Sequence, residues 1–287
     1  MSATPDLLLV NGQEVDVSGR HSVSALDRGF HFGDGLFETI ACVRRKARFL
    51  ALHLDRLSGG CARLHIDVGD VSLIRKEIER AAAATDVSLI KVMVTRGPAV
   101  ARGYAWSGRE TATRVLLRYA WPQEDTAAQR EGVAVRISAM RLGENPALAG
   151  MKHLNRLEQV IARSAVPSGE AAELLLFSSS GHLVCGTMSN VFVERAGRLI
   201  TPRVDRCGVA GVMRRVVLRE AAKAGIAVEE GTVSEADLDA TREIFLTNAR
   251  IGVWPVRALG SRTLHVGALT QQVQSLIASL LENPVDA

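Results

Sequence analysis

The segment LAGMKHLNRLEQ, residues 148–159, sets a lysine directly after a Pro/Gly-containing loop and at the start of an apolar-periodic stretch. The spacing of KHLNRLEQVIARSA predicts a helix opening at Lys152. An amine there would feel the positive end of the helix dipole, and partial burial would also disfavour its ammonium form. Both effects suit Schiff-base formation and proton transfer. On position alone, a solvated surface lysine is the better reading.

Other segments carry groups that suit anions. Arg56, in HLDRL, has a planar fork able to grip a phosphate or to pair with a carboxylate. In DRCGVAGVMRR, residues 205–215, Gly208 and Gly211 sit where a helix begins. Backbone N–H groups at such a start converge on an anion, and a tight strand-to-helix connection would use the same glycines. FLTNARIG, residues 245–252, ends a strand with Thr247, Asn248 and Arg250. RGPAVARGYAW, residues 96–106, offers Arg96, Arg102 and Tyr104 on a glycine-rich loop that could reach a carboxylate or simply face solvent. An amine, a phosphate-gripping arginine and a glycine-rich helix start are together the parts needed to hold pyridoxal 5′-phosphate.

The elements that must position these groups alternate between strand and helix patterns. LLLV-NG-QEV predicts a hairpin, because Asn-Gly suits a type I′ turn. LFETIACV and ARFLAL read as a second hairpin around RRK, and HLDRLSGGCARLHI and VSLIRKEIERAAAA as amphipathic helices. VAVRISAM, AAELLLFSSSGHLVCG and NVFVERAGRLITP read as sheet. VMRRVVLREAAKAG and ALTQQVQSLIASLLEN read as helices, and EIFLTNA as a strand. The polar, aperiodic run at 121–131 is the expected linker between a domain at 1–120 and one at 132–287 that carries the lysine. The fold class is α+β, or mixed α/β, in two domains.

Composition narrows the partners. The chain has 287 residues, 47% hydrophobic and 23% charged, with no long uncharged apolar run, so neither a membrane span nor a signal peptide is expected. Four cysteines without CxxC spacing argue against a zinc site or a disulfide framework and fit a reducing cytoplasm. A net charge of +4 with 4% aromatics does not describe a nucleic-acid surface; it accommodates a small anionic ligand.

In their order along the chain, DRGFHFGDGLFET, HLDRL, RGY, KHLNRLEQV, TMSNVF and CGVAGVMR resemble the fold-type IV pyridoxal-phosphate enzymes over nearly the whole length. Within that group KHLNRLEQV, the RGY loop, TPRVDRCGVAGVMR and the TNA strand end are most similar to the 4-amino-4-deoxychorismate lyases. That family makes 4-aminobenzoate and pyruvate for folate synthesis; its relatives are branched-chain and D-amino-acid aminotransferases. The resemblance implies that Lys152 is the Schiff-base lysine and acid/base, with pyridoxal 5′-phosphate as cofactor. It implies that Arg56 binds the phosphate, with backbone groups at Val212 and Met213 and with Asn248 and Ala249. It also implies a homodimer in which Arg102 and Tyr104 approach the neighbouring site, with Arg250 a further candidate for the substrate.

Two departures stand out. Five residues before the Asn of the SN-[VL]-F motif, here Asn190, these enzymes usually carry a glutamate beside the pyridine nitrogen; here Cys185 stands there. Leu157 occupies the branched-chain enzymes' tyrosine position, while Arg102-Gly-Tyr104 and Phe37 replace the D-amino-acid enzymes' Arg-x-His and tyrosine. These choices favour a lyase. An aminotransferase of the same fold and a catalytically retired, anion-binding relative are the alternatives.

Overall fold

Asn11 and Gly12 have φ of 50° and 84°, the left-handed pair that a two-residue hairpin turn requires. They join β1 (Leu7–Val10) to β2 (Gln13–Glu14) in a computed structural model that describes residues 4–18, 23–121, 126–167 and 169–283. A short helix α1 (Arg28–Phe32) leads into β3 (Gly35–Val43) and β4 (Lys46–Ala47). Helices α2 (Leu50–Leu64) and α3 (Val71–Ala83) follow, then β5 (Val87–Thr95) and β6 (Thr113–Ala120). The six strands form one antiparallel sheet in the order β2-β1-β6-β5-β3-β4.

This sheet has two unlike faces, as strand periodicity dictates. Leu36, Ile40, Ile90, Val92 and Val94 are buried on the side of α2 and α3, with Leu54, Leu57, Ile74 and Ile78. Each such side chain contributes about 1.5–3 kcal/mol on leaving water. Gly60 lets α2 approach: a Cβ there would come within 2.7 Å of Leu36 Cδ1. The alternate residues Phe37, Thr39, Lys91 and Met93 share the other face and are only half-buried.

The second unit begins with α4 (Thr126–Glu131) and β7 (Val133–Leu142). It continues through α5 (Leu157–Ser164), β8 (Glu173–Ser178), β9 (Leu183–Gly186), β10 (Asn190–Arg195) and β11 (Arg198–Pro202). Next come α6 (Val212–Lys223), β12 (Val228–Gly231), α7 (Glu235–Ala240), β13 (Ile244–Asn248) and β14 (Gly252–Leu259). β15 (Arg262–Thr263) and α8 (Ala268–Glu282) complete it. Its mixed sheet runs β12-β11-β10-β13-β14-β7-β8-β9, with β15 on β14. Phe192 and Phe245 stack at 4.7 Å between ring centroids in its interior.

The structure departs from the sequence expectations in several places, among them the following. Residues 47–52 are not a strand: β4 has two residues and α2 already starts at Leu50. Part of the expected linker, Thr126–Glu131, is α4, while 122–125 lie outside the described residues. Strand β14 is an element for which the sequence analysis gives no expectation; it carries Pro255, which has no N–H to donate, in its interior. Finally, the helix after Lys152 starts only at Leu157. Lys152–Asn155 group with the first unit (Met1–Gln123) and not with the C-terminal one, Glu124–Met151 and Arg156–Leu281.

Candidate active site

The reason for that grouping is backbone pairing. Phe37 N–H donates to Lys152 O at 2.9 Å, Leu154 N–H donates to Gly35 O at 3.0 Å, and His153 bridges Leu36. Lys152 is therefore held as an extra piece of strand along β3 and not as the first residue of a helix. The expected helix-dipole effect on its amine does not apply; the positioning is done by sheet hydrogen bonds. Its Nζ lies 4.3 Å from the centroid of the Phe37 ring, a cation–π geometry.

Behind Phe37, on the covered face, Glu38 is 2% exposed and collects three N–H donors. Arg56 Nε donates to Oε1 at 2.8 Å, Arg56 Nη2 to Oε2 at 2.5 Å, and His53 Nδ1 lies 2.6 Å from Oε2. Burial alone would raise the Glu38 pKa, but the charges of Arg56 and His53 and their hydrogen bonds outweigh it and hold it at about 2. The ionised carboxylate can only accept, so His53 carries its proton on Nδ1. Burial pushes the His53 pKa down, against the pull of Glu38. Its Nε2 is buried without a hydrogen-bond partner. Arg56, expected on a phosphate, thus spends two of its nitrogens on Glu38. Neither Glu38 nor His53 was singled out from sequence; a carboxylate inside an apolar strand was the available signal.

The Arg102-Gly-Tyr104 loop is held by its main chain. Arg28, 4% exposed, donates through Nη2 to Tyr104 O at 2.6 Å and through Nη1 to Gly103 O at 3.1 Å. Its Nε bonds Asp34 at 2.9 Å, and Asp34 also takes Arg96 Nε at 2.8 Å. Arg96 in turn stacks over Trp106 at 4.5 Å. Arg102 is exposed, and Tyr104 is 83% exposed.

In the second unit Cys185 lies on β9 in an apolar cluster with Leu142, Ala162, Leu176 and Val184. Burial, then the neighbouring Glu173 charge, raises its thiol to about 12, so it is neutral. Glu173, 1% exposed, is occupied by neutral donors from the turn after β9. Thr187 N–H and Oγ1–H reach Oε1; Met188 N–H and Ser189 Oγ–H reach Oε2 at 3.0 and 2.8 Å.

Asn190 donates to Val209 O at 2.9 Å, and a Cβ on Gly211 would collide with Asn190 Oδ1. This close approach seats the start of α6. Gly211 gives it no side-chain cap, so the N–H groups of Val212 and Met213 face outward from a helix end. Asn248 Nδ2 donates to Met188 O at 3.1 Å, and its Oδ1 accepts from Arg250 and Ile251 N–H, shaping the turn that contains Ala249. Arg250 lies over Trp254 at 5.6 Å.

Within each unit there are groups of the kind that pyridoxal phosphate binds: in the first, the Lys152 amine, and in the second, the N–H groups at the N-terminus of α6, which has no side-chain cap. The Cys185 thiol is neutral and so offers no counter-charge to a cationic ring nitrogen.

The chain matches the amino-transferase class IV family over residues 35–259. The aminodeoxychorismate lyase of Vibrio harveyi is 31% identical over 252 residues, covering 86% of this chain and 93% of that protein. The crystal structure of 4-amino-4-deoxychorismate lyase from Pseudomonas aeruginosa superposes with a TM-score of 0.90 at 38% identity, covering 96% of this chain and all of that one. A D-alanine aminotransferase of Bacillus licheniformis is 29% identical over 279 residues, covering 94% and 95%.

Proposed function

Since this chain belongs to the class IV aminotransferase family, whose cofactor is pyridoxal 5′-phosphate, we propose that it is a lyase converting 4-amino-4-deoxychorismate to 4-aminobenzoate and pyruvate. The observation that carries this reading is the Lys152 amine, clamped by main-chain bonds to β3 and set over Phe37, inside the KHLNRLEQ segment.

When bound, the cofactor supplies the sink for the electron pair left by proton removal. Lys152 removes the proton from the ring carbon that bears the substrate nitrogen. The C–O bond to the enolpyruvyl group then breaks, the ring becomes aromatic, and the departing enol takes a proton from Lys152 or water to become pyruvate. Of the groups the resemblance assigns to the phosphate, Val212 and Met213 would offer N–H donors and Arg56, itself oriented by Glu38, a cation. Arg102 and Tyr104 are the loop groups available to substrate carboxylates, and the turn after β13 with Asn248 and Ala249 would be a further partner for the phosphate.

The neutral Cys185 thiol favours elimination over transamination. A neutral thiol beside the ring nitrogen of a bound cofactor would give its protonated form no ionised partner, which would suit elimination more than transamination. The D-alanine aminotransferase relative keeps transamination as the second reading.

Apolar side chains stand exposed in both units: Leu26 and Phe30 in the first, and Leu157, Val160 and Ile161 along one face of α5 in the second. Such surfaces support a homodimer.

Lys152→Ala tests the assignment. The variant should lose the yellow colour of lysine-bound cofactor and essentially all pyruvate release. Pyruvate release near the wild-type rate by purified Lys152→Ala would sink it.

A further inference from the structure

The chain has five lysines: Lys46, Lys76, Lys91, Lys152 and Lys223. Three are exposed, and the two withdrawn from solvent, Lys91 and Lys152, both lie on the ring of Phe37. Lys91 Nζ is 5.4 Å from the ring centroid and Lys152 Nζ 4.3 Å. Register explains the convergence. Lys91 on β5 pairs with Thr39 on β3, two residues from Phe37, so all three belong to the half-buried face.

Lys91 differs from the arginines around it. Arg28 and Arg96 share Asp34, Arg56 pairs with Glu38, and Arg114 pairs with Glu77. Among the described residues, none forms a hydrogen bond or ion pair with Lys91; its one recorded contact is the Phe37 ring. A half-buried ammonium without a counter-ion carries a desolvation cost that an arriving anion can offset.

We propose that Lys91 is a substrate-binding residue that takes a carboxylate of the molecule whose amine meets Lys152. This rests on the lyase reading. 4-Amino-4-deoxychorismate carries two carboxylates, one on the ring and one on the enolpyruvyl ether, and a second amine on the floor beside Lys152 meets the need for a fixed cation. The Phe37 ring that both amines approach is a surface of the kind a flat substrate ring packs against. Lys91 acts in binding and orientation; the proton chemistry stays with Lys152.

The experiment uses cofactor-loaded enzyme and the variants Lys91→Met and Lys91→Arg. Lys91→Met should raise the KM for 4-amino-4-deoxychorismate by about 10- to 100-fold while kcat changes far less, as expected for loss of a charge-assisted contact made in ground and transition states alike. Lys91→Arg should recover part of the loss. Calorimetric titration with 4-aminobenzoate and separately with pyruvate identifies the carboxylate, since the first keeps only the ring carboxylate and the second only that of the side chain. Weakened binding of either product by Lys91→Met, with the yellow absorbance unchanged, supports the proposal. Unchanged KM and unchanged affinity for both products overturn it. If the wild type releases no pyruvate, the lyase reading fails, and the two titrations still decide whether Lys91 binds carboxylates.

Discussion

Glu38 and Glu173 are two buried carboxylates, each close to a candidate-site element, and their hydrogen-bonding needs are met by opposite means. Glu38 in the first unit is held by charges, the Arg56 guanidinium and the His53 ring. Glu173 in the second unit is held by uncharged N–H and O–H donors from Thr187, Met188 and Ser189, with a further bond from its own neighbour Leu174. The first arrangement fixes cations in place and leaves Arg56 oriented. The second folds a turn, bringing Thr187–Ser189 round between β9 and β10. One carboxylate therefore organises charge and the other organises backbone.

The largest expected effect separates the two directly. Glu38→Gln removes the buried charge that Arg56 and His53 share and should cost about 3–5 kcal/mol. Glu173→Gln leaves neutral donors under-satisfied and should cost about 1–3 kcal/mol. Urea unfolding of both variants measures the difference; equal losses would remove the distinction. Acid adds a second axis. Glu38 is depressed to about 2 from an ordinary 4.5, so its stabilisation is complete above that ordinary value and drains away as pH falls towards 2. His53, pushed down by burial, loses stability in the same direction below its usual 6.5. The acid limb of the unfolding profile should flatten in Glu38→Gln.

A smaller effect sharpens the role of the cations. Arg56→Ala should weaken pyridoxal phosphate binding by about 10- to 100-fold. It should also destabilise the fold, because Glu38 would keep only His53. Fluorescence titration of the apoenzyme checks the first effect. An unchanged dissociation constant would mean that Arg56 serves Glu38 alone.

The smallest expected effect concerns Cys185, where the second unit carries a neutral thiol. Cys185→Glu would set an acid near Arg156, whose charge already bears on this position. The variant should convert its cofactor to the pyridoxamine form with alanine measurably faster than wild type, with pyruvate elimination changed little. Wild-type transamination as fast as its elimination would defeat the idea; absorbance of the two cofactor forms reports the outcome.

Local signals carried much of this into the sequence. The Asn11-Gly12 hairpin, the apolar faces of α2 and α3, and the glycines before α6 each follow from one short segment whose requirements are met nearby. Lys152 was recognisable by its motif, yet its setting was not. Leu154, Leu157 and Ile161 repeat like a helix, whereas the main chain at 152–154 bonds to β3, more than a hundred residues earlier. Glu38 was silent for the same reason, since the residues that give it meaning lie one helix away. Lys91 looked like an ordinary strand lysine until the register of β3 and β5 placed it beside Phe37.

Arg28 grips the 102–106 loop through carbonyl oxygens, and every amino acid supplies a carbonyl oxygen. The grip is therefore blind to which side chains the loop carries. Residues at 102 and 104 can be exchanged, by mutation over generations or by an engineer, without releasing the loop from its anchor. A scaffold of this kind separates keeping a shape from choosing a ligand, and it makes those two positions the natural place for new substrate preferences to be tried.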